Sequence, residues 1–331
     1  MKTQVFSIDV GIWSIKTHFR GKEMNFRSTV TAHEAFEKGL PLPEGCFPIM
    51  MPETGNKYVI GYKDERKHAD LYFNEEVFDR YIGEIVYQLM KMHGVNFSEP
   101  ILCMYGTPPT NSLINEEKMK ASVMKMTNNH EVSSLRIMTA AVGQGANFAL
   151  EKEGKKEKIL IIEVGHESLN TMLFDGRTPI HNLCTYANIG ASYILFRVLE
   201  DMREFDYENS EYFLSDAIKC IAEGGKKMSN GLYVLGINMF DIQYDFYWKV
   251  FQENYHILDE SVLESDKIVV IGGGSRFFDM DAVDKLMKSE KSRKKLREAL
   301  LLEDDFAMYG NVRGFSYAGE EVLKGNITGR V

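Results

Sequence analysis

Cysteine is scarce in this sequence, and long uninterrupted apolar runs are missing. The four cysteines are Cys46, Cys103, Cys184 and Cys220. Because none of them forms a CxxC pair, a disulfide framework and a zinc site are both disfavoured, and a reducing cytosol fits best. No apolar stretch approaches the roughly 20 residues that a membrane-spanning helix needs, and the N-terminus lacks the pattern of a signal peptide. We therefore expect a cytoplasmic protein without a membrane span.

The chain also has fewer basic than acidic residues. The chain has 39 Lys and Arg against 48 Asp and Glu, a formal net charge of -9 at pH 7. Direct nucleic-acid binding is not expected, because it needs a basic field. A hydrophobic fraction of 44% and a charged fraction of 26% are ordinary globular values. The 331 residues are enough for two domains that each bury a core.

Two short stretches, residues 5–17 and 160–171, match each other at a constant offset. The match pairs Asp9 with Glu163, Gly11 with Gly165, and Ser14 with Ser168. Each copy is an apolar strand, an acidic residue, a glycine two places on, and a second strand that contains Ser or Thr. Glycine lets the chain turn sharply and bring backbone N–H groups against a ligand. We therefore predict two hairpins that grip one phosphate tail from opposite sides.

The rest of the chain alternates strands with helices. Continuous apolar runs at 100–105 and 267–271 predict strands covered on both faces, whereas half of the eight prolines fall in 32–56, which predicts a loop-rich excursion. Helices are predicted at 74–93, 113–127, 139–149, 188–203, 211–223, 236–256 and 281–301, with a last helix after 309–315. The pattern predicts an α/β protein with two similar halves and a ligand crevice between them.

A third glycine turn follows the strand at 267–271. It consists of Gly272, Gly273, Gly274 and Ser275. Together the three turns resemble those of the actin, sugar-kinase and DnaK-type chaperone superfamily. The short strand at 58–61, the 106–108 turn and the 311–315 segment are similar to those of ParM-type actin-like proteins.

This resemblance implies an actin-like (ribonuclease H-like) two-domain fold, with duplicated βαβ halves around a nucleotide cleft. Domain I would span 1–158, with a loop-rich insertion at about 32–73, and would be completed by a C-terminal helix at about 315–331. Domain II would span 159–314.

The resemblance also implies ATP or GTP with Mg²⁺ as the ligand. The residues expected to bind the nucleotide are Asp9, Gly11, Ser14, Lys16, Gly165, His166, Glu223, Gly272, Gly273, Gly274, Ser275 and Phe277. Asp9 and Glu163 would act on the metal through water, Lys16 would face the β-phosphate, and Phe277 would lie against the base. Alternatively, Asp9 bonds its own backbone in the turn, Lys16 is an exposed strand residue, and His166 is a surface turn residue.

Two departures from the family pattern concern hydrolysis. The second hairpin has Glu163 where the family usually has Asp, and Ala140 lies in the region where ParM-type proteins place a Glu. We expect Gln144 and Glu163 to position the attacking water, as a Gln does in small GTPases; the alternative is that Gln144 only completes local packing. Hydrolysis is therefore expected to be slow or altered in timing.

The resemblance implies a nucleotide-driven filament, in which subunits joined head to tail form a helical polymer. ParM-type filaments segregate plasmid DNA through an adaptor protein, and such an adaptor is the expected further partner. The rivals are a monomeric phosphotransferase of the same fold, acting on a sugar or an acid, and a structural filament that does not hydrolyse nucleotide.

Overall fold

The computed structural model describes residues 2–11, 13–32, 41–62, 71–72, 75–107, 113–151, 157–205, 212–222, 237–301 and 304–327. The chain divides into two compact units. Unit 1 comprises Met1–Gly154 and Met308–Val331, and unit 2 comprises Lys155–Ala307.

Unit 1 contains nine of the fifteen strands in the part of the chain that the structure describes. They are β1 (Gln4–Val10), β2 (Ser14–Phe19), β3 (Lys22–Arg27), β4 (Thr29–Ala32), β5 (Phe47–Met50), β6 (Lys57–Ile60), β7 (Leu71–Tyr72), β8 (Ile101–Thr107) and β9 (Leu135–Ala141). The helices that alternate with them are α1 (Glu75–Met92), α2 (Leu113–Asn129) and α3 (Gln144–Glu151).

Unit 2 is richer in helix. Its strands are β10 (Lys158–Val164), β11 (Leu169–Asp175), β12 (Thr178–Pro179), β13 (Thr185–Ala187), β14 (Lys267–Ile271) and β15 (Leu300–Leu301). Its helices are α4 (Ala191–Phe205), α5 (Leu214–Ala222), α6 (Met239–Phe251), α7 (Tyr255–Glu264), α8 (Met280–Leu286) and α9 (Glu290–Ala299). Helix α10 (Asp304–Leu323) then carries the chain back into unit 1.

The main sheet of unit 1 has the order β3-β2-β1-β8-β9. Its first three strands are antiparallel neighbours, and β1, β8 and β9 are parallel. Successive side chains of a strand point to opposite faces. Accordingly Cys103 and Tyr105 join one apolar cluster, whereas Leu102 and Met104 join another that includes Phe315 of α10. Burial on both faces explains the continuous apolar run of β8.

A second, smaller sheet of unit 1 has the order β5-β6-β4-β7. The prediction of a loop-rich excursion at 32–56 is therefore wrong for residues 47–50, which form β5. Phe47 and Ile49 are buried while Pro48 and Met50 are exposed, the alternation of a half-buried strand. Pro48 is accommodated because β5 is an edge strand of this sheet, where a missing N–H group breaks no inner ladder.

The sheet of unit 2 repeats the topology of the main sheet of unit 1. Its order is β12-β11-β10-β14-β15, with β13 also paired to β11. Strand β10 is antiparallel to β11 and parallel to β14, just as β1 is antiparallel to β2 and parallel to β8. The duplication seen in the sequence is thus a duplication of sheet topology.

Several predicted helix boundaries are wrong, because the hydrophobic periodicity of the sequence continues across helix caps and strand ends. The small residues at 139–141 continue β9, and the helix begins only at Gln144. The predicted helix at 236–256 ends at Phe251 and is followed by α7, and the one at 281–301 is divided where the Ser289 side chain caps α9. Segment 309–315 lies inside α10 and does not precede the last helix. In the part of the chain that the structure describes, no helix is both long and apolar enough to cross a bilayer.

Candidate functional site

The first acidic hairpin is formed by β1 and β2. Residues Asp9 and Lys16 are cross-strand partners, and the turn is closed by the Gly11 N–H, which donates to the Ser14 carbonyl at 3.0 Å. Asp9 is buried at the carboxyl end of β1, and its Oδ2 lies 3.8 Å from Nζ of the equally buried Lys16. The predicted hairpin is confirmed, and Lys16 is not the exposed strand residue of the alternative.

The charge on Asp9 depends on its burial and on the groups that surround it. Burial raises the pKa of the Asp9 carboxyl, while the Lys16 ammonium and a hydrogen bond from the Asn311 side chain lower it. Desolvation is the largest of the three effects, because burial disfavours the charged form. Asp9 is therefore a carboxylate whose ionisation depends on nearby positive charge and donors.

The turn between β9 and α3 is linked to the same carboxylate. Gly143 has φ +83° and precedes Gln144, the first residue of α3. The Asn311 side chain accepts hydrogen bonds from the Gly143 and Ala146 N–H groups at 2.7 and 3.3 Å. Asn311 thus brings the predicted Gln144 segment and Asp9 into one cluster within unit 1. The sequence resemblance includes the 311–315 segment but assigns no role to Asn311. The available signal is a polar residue at helical spacing from the buried Phe315 and Ala318.

The second acidic hairpin, formed by β10 and β11, has the same backbone. Glu163 pairs with Asn170, and the Gly165 N–H donates to the Ser168 carbonyl at 2.8 Å. Glu163 is buried, and the Asn170 side-chain amide donates to its Oε2 at 2.9 Å. The hairpin prediction is again confirmed, whereas the contribution of Asn170 was missed.

The N-terminus of α4 supports this second turn. The Ala191 N–H donates to the Gly165 carbonyl at 2.9 Å, and the Ser192 N–H donates to the His166 carbonyl at 2.8 Å. His166 Nε2 lies 3.2 Å from the Glu167 carboxylate. The first turn of a helix has N–H groups without intrahelical partners, and here two of them fix the hairpin turn.

The third glycine turn lies against the end of β10. Gly272 has φ +96°, and a Cβ there would stand 2.3 Å from the Val164 carbonyl oxygen. The Gly274 N–H donates to that same oxygen at 2.9 Å. Gly273 is exposed, with no atom within 4 Å of the position a Cβ would take. Only glycine fits at 272, because the close approach and the left-handed conformation both exclude a side chain.

Other predicted residues have different positions. Ser275 and Phe277 bound a 3-10 helix directly after the glycine turn. The Phe277 ring is buried in the core of unit 2, so it stabilises that core; its contact with a base stays a prediction. Glu223 lies outside the described residues. Within those residues no group of three or more His, Cys, Asp and Glu side chains could hold a metal ion.

No protein-family model matches the sequence, and comparison with curated proteins finds no match either. Solved structures do match. The crystal structure of Ta0583, an archaeal actin homolog, is 15% identical with a TM-score of 0.73, over 97% of this chain and 100% of that one. The same homolog in complex with ADP is 16% identical with a TM-score of 0.65, over 96% and 100%. A 15-stranded ParM filament from Clostridium botulinum is 14% identical with a TM-score of 0.71, over 97% and 100%.

Proposed function

We propose that this chain binds a purine nucleoside triphosphate with Mg²⁺, hydrolyses it slowly, and assembles into filaments. The proposal is supported by the two hairpins and by the fold, which is that of actin-like proteins, as the sequence predicted. We assign phosphate binding to the acidic hairpins, and assembly to contacts between copies of the chain.

The observation that carries the proposal is one turn built twice. In each hairpin a buried carboxylate is the next-to-last residue of a strand, and two residues later a glycine N–H closes the turn onto a serine carbonyl. Both strands have a parallel neighbour on one side. In open α/β sheets, ligands bind outside the carboxyl ends of the strands. A structural duplication alone does not require a buried acid at this place in each copy.

The residues present suit a phosphate ligand and a divalent cation. Lys16 is a buried cation in the first hairpin, and a lysine of this kind binds phosphate as a point charge. A bound Mg²⁺ would neutralise phosphate charge, and it keeps several waters, through which carboxylates such as Asp9 and Glu163 act. Because burial raises the pKa of Asp9, a nearby cation would favour the ionised form of this carboxyl.

Hydrolysis is assigned to Gln144 and Glu163 as residues that orient water. Glu163 is held by Asn170, and Gln144 begins α3. Glu163 is one methylene longer than the aspartate usual in this superfamily, and reaction rates are sensitive to displacements of about 1 Å. Slow turnover is therefore part of the proposal.

The filament is supported by a structural neighbour that was itself solved as a 15-stranded ParM filament. Copies that contact head to tail use two different surfaces, and where the rotation between copies does not close a ring, the assembly grows as an open helix. An adaptor that links such a filament to DNA belongs to the same proposal.

Light scattering and phosphate release, recorded together with ATP, GTP and ADP in the presence of Mg²⁺, test this function. Trp13, which lies in the turn of the first hairpin, reports binding by a change in its fluorescence. The proposal expects a fluorescence change, a scattering rise with triphosphate, and slow phosphate release.

Each rival predicts a different result. Turnover that a small sugar or acid stimulates, without scattering, indicates a phosphotransferase. Persistent scattering without phosphate release indicates a structural filament. Absence of any nucleotide-dependent change refutes the proposal.

A further inference from the structure

A cavity of about 780 Å³ lies in unit 1, at the end of β1 opposite to Asp9. The start of β1 at Gln4 lines one side of it, and the C-terminal half of α10 lines another. Gln4 and Asp9 are five residues apart, which corresponds to about 17 Å along a strand. The cavity is therefore separate from the acidic hairpins, and its volume is in the range of small-molecule sites.

Arg20, one of the residues that line this cavity, has an unusual backbone conformation. Arg20 and Gly21 join β2 to β3, with φ +49° and +81°. A two-residue hairpin loop in which both φ angles are positive is a type I′ turn, and its first position favours Asn, Asp or Gly. Among the residues that the structure describes, Arg20 is the only one other than glycine with a positive φ. Since a Cβ disfavours this conformation, the turn alone does not explain an arginine here.

The cations of the cavity are only partly neutralised by carboxylates of the protein. Lys324 forms an ion pair with Glu321 at 2.9 Å. Lys2 and Arg20 line the same cavity, and neither has an ion-pair partner within the described ranges of the chain. Glu320 is the one carboxylate among the described residues of the lining. The cavity thus carries a local positive charge, although the net charge of the chain is -9 at pH 7.

The lining also contains uncharged polar groups and apolar side chains. His18 is half-buried, and its Nδ1 is buried without a hydrogen-bond partner in the part of the chain that the structure describes. Because Nδ1 is buried, Nε2 is the ring nitrogen left to face a ligand. The hydroxyl of Ser316 is a second group that can donate to an acid. Val5 and the exposed Leu323 add apolar surface, so the lining suits a molecule with an acidic group and an apolar body.

We propose that this cavity binds a small organic anion, whose phosphate or carboxylate is held by Lys2 and Arg20 and whose apolar body lies against Val5 and Leu323. The guanidinium of an arginine binds either acid group through two parallel N–H donors. Arg20 thus occupies a turn position that asparagine suits better, because its side chain binds the ligand. This site is additional to the proposed nucleotide site and does not depend on it.

The decisive variant is Arg20→Asn, because affinity and stability should change in opposite directions. Asn-Gly is a preferred type I′ sequence, so the melting temperature should rise by about 2 °C. Loss of the guanidinium should weaken anion binding by about tenfold or more. Isothermal titration calorimetry with naphthyl phosphate and with naphthoate measures the affinity, and differential scanning calorimetry measures the melting temperature. The anion that binds more tightly identifies the acid group that the site prefers.

Three controls test whether the effect belongs to this cavity. Lys125→Gln removes an exposed cation of α2 in the same unit and should change neither affinity nor melting temperature. Lys2→Gln leaves the turn unchanged and should also weaken anion binding. Uncharged naphthol should bind more weakly than either anion. If the wild type bound neither anion, or if Arg20→Asn bound them as tightly as the wild type, the proposal would be overturned.

Competition with nucleotide separates this cavity from the acidic hairpins. Saturating ATP with Mg²⁺ should leave the affinity for naphthyl phosphate unchanged, because the two places are about 17 Å apart along β1. Displacement by ATP, together with unchanged affinity in Arg20→Asn, would place the anion at the hairpins and refute a second site. If the chain binds no nucleotide, the proposed function fails, whereas the comparison of Arg20→Asn with the wild type still decides this proposal.

Discussion

The two acidic hairpins share a backbone and differ in the side chains that surround their acids. Lys16 and Asn170 occupy the same cross-strand place, but the first is a cation and the second a neutral amide. One residue further on, the hydroxyls of Thr17 and Thr171 also occupy matching places. The Thr17 hydroxyl lies 2.7 Å from His93 Nε2, whereas the Thr171 hydroxyl lies 2.7 Å from that of Thr185.

The two hairpins thus have the same turn geometry, whereas the side chains that contact their acidic residues differ in chemistry. The first hairpin has ionisable partners, so its stability and its binding should respond to pH and to charge changes. In the second hairpin the neutral Asn170 amide donates a hydrogen bond to Glu163. Trp13 and Trp248 lie in units 1 and 2 and are the two tryptophans of the chain, so single-tryptophan variants can follow each unit separately.

The largest effect is expected from a variant that disrupts the contact between the glycine turn and the second hairpin. Gly272→Ala forces a methyl group to 2.3 Å from the Val164 oxygen at φ +96°. Backbone strain and overpacking together should remove about 4 kcal/mol from the free energy of unfolding. Urea denaturation followed by Trp248 in a Trp13→Phe background measures it. Gly273→Ala is the control and should change the free energy of unfolding by less than about 0.5 kcal/mol. Equal losses in the two variants would contradict the close contact between Gly272 and Val164.

The second prediction removes the charge that distinguishes the first hairpin. Lys16→Met leaves the buried Asp9 carboxylate without its cation and should cost about 3 kcal/mol near neutral pH. Urea denaturation followed by Trp13 in a Trp248→Phe background is the measurement.

The double variant Asp9→Asn/Lys16→Met is the control for that prediction. It removes both charges and should recover most of the loss, because uncharged groups of similar shape tolerate burial. If the single and double variants were equally unstable, the pair would matter through shape and not through charge.

The hairpins could be predicted because their signals are local. An apolar strand, an acid and a glycine determine the turn, and the constant offset places Glu163 and Gly165 where Asp9 and Gly11 lie. The strand before Gly272 could be predicted for the same reason. These elements need no information from distant parts of the chain.

The surroundings of the acids could not be predicted, because they depend on distant residues. Asn311 reaches Gly143 across 168 positions of sequence, and His93 reaches Thr17 across 76. Burial of Phe277 likewise follows from packing of several helices and not from its place after three glycines. Periodicity also misses the start of α10, because it predicts that the segment 309–315 precedes the last helix, whereas α10 begins at Asp304.

The third prediction concerns His93, the ionisable hydrogen-bond partner of Thr17. Burial, with Lys22 and His18 nearby, lowers the pKa of His93 to about 4 from 6.5. The folded state thus binds this proton less tightly than the unfolded state, so stability present above about pH 6.5 is lost as the pH falls towards 4. Between about pH 7 and pH 4.5, the loss should be about 2 kcal/mol.

The measurement compares urea denaturation of wild type and His93→Gln across this pH range, followed by Trp13. The difference between them should shrink as the pH falls, because Gln does not titrate, and contributions from Asp9 cancel. His256→Gln, at an exposed position in unit 2, should leave the pH profile unchanged. A constant difference would show that His93 contributes by packing alone.

The smallest expected effect tests the neutral partner of the second hairpin. Asn170→Ala removes the donor at 2.9 Å from the buried Glu163 carboxylate and should cost about 1 kcal/mol near neutral pH. The loss is expected because the buried Glu163 carboxylate then lacks a donor that compensates for its removal from water. Urea denaturation followed by Trp248 in a Trp13→Phe background measures it, with the exposed Asn182→Ala as control. A loss no larger than that of Asn182→Ala would mean that the Asn170 amide does not stabilise the Glu163 carboxylate, and the contrast between the hairpins would then be one of packing.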